Sequence, residues 1–180
     1  MLFPKSTTLS IDIGKHNLGY AIWDAVDNAL MYGIFDLDEH SNGKNLVVGR
    51  CTLIIQFISD IYDLYQFEKL IIERQVSTNI IAMELMYTIT TAALLYTKDI
   101  IIFDPKLKFT SIHEKYITTN KAHKRQSVMY ANNVLHIYNG DPMTDFDKKD
   151  DIADAINQLF VSTIDDKTYL RSVMVDCRIV

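Results

Sequence analysis

The chain has 180 residues, enough for one core without disulfide staples. Its 48% hydrophobic and 23% charged residues exclude wholesale disorder. A formal net charge of −5 offers nucleic acid no global attraction, which counts against a DNA-binding reading. The two cysteines, Cys51 and Cys177, have no ligand-spaced partner and read as reduced thiols of an intracellular protein. Met1 to Lys5 lead straight into polar Ser6-Thr7-Thr8, so no signal peptide is expected. The longest apolar run, Ile80 to Tyr96, is interrupted by Glu84 and several threonines, which argues against a membrane span.

The elements follow in order. Leu9, Ile11 and Ile13 alternate with Ser10 and Asp12, a period of two that predicts a strand. Gly14 to Asn17 break the run and Leu18 to Trp23 restart it, making a hairpin. A polar turn over Asp24–Asn28 leads to a third strand, Leu30 to Leu37, and Asp36 to Asn45 read as loop. Val47, Leu53, Ile54, Phe57, Ile58, Ile61 and Leu64 recur at threes and fours and predict an amphipathic helix over Leu46–Tyr65.

Phe67 to Glu73 reads as a fourth strand ending on an acid. Asn79 can cap a helix running to about Tyr96, apolar nearly all round, and therefore either central in the core or covered by a partner chain. Asp99 to Asp104, closed by Pro105, reads as a fully apolar, buried parallel strand. Lys106 to Asn120 has weak periodicity. A helix starts near Lys121 and ends before Asn139-Gly140, an acidic loop spans Asp141–Asp147, and a last helix spans Asp150–Val161. The tail from Thr163 adds a short helix or strand. This order predicts an α/β fold with a mixed five-stranded sheet and helices on both faces, in a single domain over 1–180. The first three strands are expected antiparallel, with the fourth and fifth parallel to the first.

Acids stand out against this pattern. Asp12 sits in a strand where an apolar residue would pack better, and a carboxylate there calls for compensation. A divalent metal ion supplies it; backbone amides of the following turn are the alternative. Glu73 lies at the carboxyl end of the fourth strand. Asp151 and Asp154, three apart, share one face of the last helix's first turn, where the helix dipole favours negative charge. Solvated capping acids are the rival explanation for that pair. Gathered around one site, Asp12, Glu73, Asp151 and Asp154 would hold two Mg²⁺ ions for phosphodiester cleavage, since an all-oxygen set favours Mg²⁺ or Mn²⁺ over Zn²⁺.

Three segments together, Ser10-Ile-Asp-Ile-Gly-Lys-His-Asn-Leu-Gly-Tyr20, Ile71-Ile-Glu-Arg-Gln75 and Lys149-Asp-Asp-Ile-Ala-Asp-Ala155, resemble the RuvC-like Holliday junction resolvases. Within that group they look most like the poxvirus and fungal mitochondrial branch, over residues 8 to 160. The resemblance implies an RNase H-like fold, a homodimer, and Mg²⁺-dependent paired incisions in four-way junctions and other branched DNA. The positions matching the family's motifs are Asp12, Glu73, Asp151 and Asp154, with Asp150 the adjacent acid. Asn120 to Val128 resembles a basic segment of the relatives and makes Lys121 and Lys124 candidates to neutralise the transition-state phosphate. Two departures stand out. Bacterial members carry an aromatic where this chain has Val76, and poxvirus members are basic where it reads Val76-Ser-Thr-Asn79. The resemblance also implies an intracellular protein, in the cytoplasmic virus factory if viral and otherwise in mitochondrion or nucleus.

Charge is unevenly spread. Lys98, Lys106, Lys108, Lys115, Lys121, Lys124 and Arg125 form a basic band with Phe109 and Tyr116 inside it, suited to holding a DNA backbone and stacking on unpaired bases. An ordinary mixed surface with packed aromatics is the alternative. His16 and Asn17 could touch substrate, or serve the turn. The Ile80–Tyr96 helix is a candidate dimer contact, with core burial as its rival. Two other functions remain compatible with these residues: an RNase H-like nuclease on RNA–DNA hybrid or RNA precursor, and a non-catalytic branched-DNA binding module.

Overall fold

The computed structural model describes residues 4–38, 46–107, 120–138, 142–143 and 149–164, without the side chains of Leu46, Asn120 and Lys121. Three strands, β1 (Thr8–Ile13), β2 (Asn17–Asp24) and β3 (Ala29–Asp36), form the expected antiparallel meander. Helix α1 (Leu46–Tyr65) leads to β4 (Lys69–Glu73), which lies parallel to β1. Helix α2 (Ile80–Ala93) leads to β5 (Asp99–Phe103), parallel to β4, and helices α3 (Asn120–Ile137) and α4 (Lys149–Thr163) follow. The sheet order is β3-β2-β1-β4-β5, the mixed five-stranded sheet that the sequence predicts.

Strand alternation divides the molecule into two cores. Leu9, Ile11 and Ile13 of β1, with Leu18, Ile22, Leu70 and Ile72, pack under α1 and α2. On the opposite face, Ala21, Trp23 and Ile71 pack under α3 and α4. Successive side chains of a strand point to opposite faces, so Thr8, Ser10 and Asp12 belong to the α3–α4 side. Trp23 is fully buried there and donates its indole N–H to the Pro4 carbonyl at 3.0 Å. Asn28, in the β2–β3 turn, takes the left-handed conformation (φ 52°) that asparagine tolerates.

Two expectations need correction. β5 is parallel but not buried: among the described residues it is the sheet edge, and only Phe103 of its five residues is buried. Its apolar run reads as interior because periodicity cannot tell a strand with two neighbours from a strand with one. Helix α2 ends at Ala93 rather than Tyr96 and is buried on one side only, through Ala82, Leu85, Met86, Ile89, Ala92 and Ala93. Its outer side exposes Ile80 and Tyr87, and Leu95, just past its end, is exposed as well. The rest of the 36–45 loop, most of 106–120, most of the acidic loop and the tail from 165 lie outside the described residues.

Sheet and helix approach closely at Gly19. A Cβ built there would lie 2.3 Å from the Asp151 carbonyl oxygen and 2.5 Å from its carbonyl carbon. Glycine in a strand interior marks such a backbone contact. Gln158, fully buried on α4, donates to the Ile11 carbonyl of β1 at 3.2 Å. These two contacts set how deeply the start of α4 sinks onto β1 and β2. Gly19→Ala should destabilise the protein by about 1–3 kcal/mol or more, because backbone cannot rotate out of the way. Urea unfolding checks this, and a midpoint equal to that of the unsubstituted protein would mean that α4 can retreat without cost.

Candidate active site

The register across β1 brings the distant acids to one edge. Asp12 pairs with Gly19, so both belong to the face covered by α4. Ile11 pairs with Ile72 in the parallel β1–β4 ladder. Asp12 and Glu73 are the next residues of the two strands, just past the last pair of that ladder. Glu73 follows the parity of Ile71, which packs under α3 and α4. Asp12 and Glu73 thus stand on the same face, at the carboxyl ends of two adjacent parallel strands.

Helix α4 supplies the other acids from above. Its first turn carries Asp150 and Asp151, where the positive end of the helix dipole offsets part of their charge. Asp151 is seated against Gly19, and its Oδ2 accepts a hydrogen bond from Asn17 Nδ2 at 2.6 Å. Burial pushes the Asp151 carboxyl above its ordinary pKa; Asn17 and Lys124 pull it down, and Asp150 and Asp154 push it up. One turn later, Asp154 Oδ1 accepts from the Ser127 hydroxyl of α3. Asn157 donates in turn to Ser127 Oγ at 2.9 Å and to the Ser127 carbonyl at 3.0 Å.

The candidate cations divide. Lys124, exposed on α3, pairs with Asp150; that hydrogen bond, with the charges of Asp150, Asp151 and Asp154, raises its pKa. It therefore stands within the field of the acids. The backbone of Lys121 lies in the first turn of α3, and its side chain is outside the described residues. Lys98 and Lys106 flank β5, whereas Lys108, Phe109, His113, Lys115 and Tyr116 lie outside the described residues.

The hairpin residues have specific partners. The Asn17 carbonyl closes the turn by accepting from Gly14 N at 2.9 Å, and its buried side chain reaches Asp151. His16 pairs with Asp38, whose other oxygen accepts from Arg50 Nη2 at 2.5 Å. That guanidinium hydrogen bond is the main reason the Asp38 carboxyl lies below its usual pKa. Arg50 is itself buried, so the pair fixes the hairpin tip to α1.

Among the described residues, no three acidic, histidine or cysteine side chains stand close enough to share one metal ion. The chemistry of the donors nonetheless fits a hard cation. They are carboxylates brought to one face, and Asp151 is desolvated among like charges, an arrangement that a divalent ion relieves. Binding a shared ion requires the side chains to turn toward one another.

The Poxvirus A22 protein family matches residues 7–165. The chain belongs to this family. No single curated protein sequence matches it. Among solved structures, the yeast mitochondrial Holliday junction resolvase Ydc2 superposes with a TM-score of 0.61 at 14% identity, covering 99% of this chain and 84% of that one. The fowlpox virus resolvase, solved with substrate Holliday junction DNA, gives 0.57 at 20% identity, covering 93% and 98%. RuvC of T. thermophilus in complex with a Holliday junction substrate gives 0.61 at 11%, covering 86% and 91%. At these identities the likeness establishes the fold, which is RuvC-like, as the three sequence segments imply.

Sequence reasoning alone does not reach Gly19, Ser127, Asn157 or Gln158. A glycine inside a strand and an Asn-Gln pair amid the apolar residues of the last helix were the available signals. The raised pKa of Asp151 gives a signed expectation. Its folded-state pKa exceeds the unfolded value near 3.8, so ionisation costs stability as pH rises through this range. Asp151→Asn keeps an acceptor for Asn17 and should raise the melting temperature of the metal-free protein at pH 7. The gain should vanish below about pH 4. Thermal melts at the two pH values check this; a gain that persists at low pH would assign it to packing.

Proposed function

We propose that this protein is a divalent-metal-dependent endonuclease that resolves Holliday junctions and other branched DNA by paired, symmetric incisions. The observation that carries the reading is the parallel β1–β4 register, which leaves Asp12 and Glu73 at the carboxyl ends of neighbouring strands, with the first turn of α4 seated on Gly19. Family membership supports it, as does the RuvC-like fold shared with resolvases solved on junction DNA.

In this reading Asp12, Glu73, Asp151 and Asp154 hold two Mg²⁺ ions, for which Mn²⁺ can substitute. Metal ions held by these four acids would supply a lowered water pKa and charge stabilisation at the departing oxygen of a phosphodiester. The protein's own contribution is orientation and charge. Asn17 holds the Asp151 carboxylate through a hydrogen bond, and Asp150 keeps Lys124 beside the acids. From that position, Lys124 offers its charge to the phosphate as negative charge accumulates there. Lys121, on the preceding turn of the same helix, is the second cation for this role. The carboxylates alone repel DNA, so binding depends on the flanking lysines and on the cations.

Paired incision needs two sites, and we assign the second to another copy of the chain. Support comes from the exposed apolar side of the α1–α2 layer, where Ile55, Tyr87 and Leu95 border a groove with Cys51 and Thr88 at its floor. An apolar surface of this kind favours a partner. Tyr87→Glu combined with Leu95→Glu should yield a monomer in sedimentation equilibrium; a dimer that persists would move the contact elsewhere.

Incubation of the protein with labelled four-way junction and Mg²⁺ tests the central reading. Symmetric paired nicks are expected. Cleavage of an RNA–DNA hybrid with the junction left intact would make the protein an RNase H-like enzyme. Binding without any cleavage would make it a junction-binding module. Asp12→Asn or Asp154→Asn should abolish cleavage and leave junction binding largely unchanged. Lys124→Ala should lower the single-turnover rate by about 10²- to 10³-fold with little loss of binding. An unchanged rate would remove Lys124 from the chemistry.

A further inference from the structure

Asp154 is served by a buried polar relay between α3 and α4. Ser127 and Asn157 are each 2% exposed. Asn157 sits three residues after Asp154, on the same face of α4, and that face meets α3. The direction of the relay follows from donor counting. The Asn157 Nδ2 group reaches both the carbonyl and the hydroxyl of Ser127. A backbone carbonyl can only accept, so the atom facing it is the amide nitrogen. That nitrogen uses its two protons on the carbonyl and on Oγ. The Ser127 hydroxyl, already accepting from Asn157, has a single proton left and gives it to Asp154 Oδ1.

We propose that Ser127, held by Asn157, is a positioning residue for Asp154: its hydroxyl fixes the carboxylate plane so that the acid is presented toward Asp12 and Glu73. This inference rests on the reading of Asp154 as a metal ligand. Three features favour positioning over simple core filling. The relay is buried, so water does not compete for the carboxylate oxygen it engages. It crosses between two helices, so it ties the orientation of Asp154 to the packing of α3 on α4. It also carries no charge, so it leaves the full negative charge of Asp154 available to a cation. An arginine or lysine in the place of Ser127 would neutralise the acid; a hydroxyl orients it.

Partners that orient a ligating carboxylate are commonly worth ten- to a hundred-fold in metal affinity. Titration calorimetry of the DNA-free protein with Mn²⁺ reads this directly. Ser127→Ala should weaken Mn²⁺ binding ten- to a hundred-fold, and Ser127→Thr, which keeps the donor, should bind within a few-fold of the unsubstituted protein. Asp154→Asn is the reference. If it weakens binding, adding Ser127→Ala should cause little further loss, because both act through one carboxylate. Weak binding by Asp154→Asn with normal binding by Ser127→Ala would overturn the positioning role and leave the acid in place. Normal binding by Asp154→Asn would overturn the metal reading and this inference together. A merely structural hydroxyl would lower the unfolding midpoint of the metal-free protein and leave the Mn²⁺ affinity of the folded protein unchanged. If Ser127→Ala does not fold, Asn157→Ala, which removes the donor behind the hydroxyl, takes its place with the same expected direction.

Discussion

Bringing the acids of α4 onto the sheet depends on how closely that helix can lie on β2, and the absence of a side chain at Gly19 permits the approach. The Asp151 backbone occupies the space a Cβ would take. Because strand alternation puts Gly19 and Asp12 on the same face, the approach that seats Asp151 also brings it toward Asp12. Gln158 reinforces the contact two turns along the helix by holding the Ile11 carbonyl. The result is a polar seam between sheet and helix inside an otherwise apolar layer. Its groups are arranged in pairs: Asn17 with Asp151, Ser127 with Asp154, Lys124 with Asp150.

The electrostatics of this seam are those of crowded carboxylates. Negative charge is concentrated rather than spread: three aspartates occupy the first two turns of one helix. The cost of that crowding is visible in Asp151, whose carboxyl is driven up by burial and by its neighbours. Evolution toward stability alone would remove such a group, and functional sites are where proteins retain it. Asp150 differs from its neighbours. Its partner is an exposed lysine on α3, so it acts as a tether for positive charge beside the acids.

The parts of the fold that follow local periodicity were legible in the sequence. The alternation of Leu9, Ile11 and Ile13 with Ser10 and Asp12 announces both the strand and its polar face, and the helix patterns of α1 and α4 fall within a few residues of the observed ends. The candidate acids were legible as residues whose charge sits poorly in its local pattern. Partners across the fold were not. Asn17 and Asp151 are 134 positions apart, and nothing local to Asn17 distinguishes an amide that closes a turn from one that orients a carboxylate. The exposure of β5 was hidden for a related reason: a strand's burial depends on whether another strand joins its far side, which is a property of the sheet and not of Ile100, Ile101 and Ile102.

The division of the molecule into two cores has a consequence for how the protein comes into being. The layer beneath α1 and α2 draws its residues from positions 9 to 93, with Tyr96 and Ile100 against it, whereas the layer beneath α3 and α4 waits for residues beyond 120. Synthesis runs from the N-terminus, and segments organise as they emerge. A nascent chain can therefore assemble its sheet and one helical layer while Asp12 and Glu73 still face solvent, lacking the opposing acids. The candidate site is completed only with the last helix, so a ribosome-bound or truncated fragment carries half of its acids.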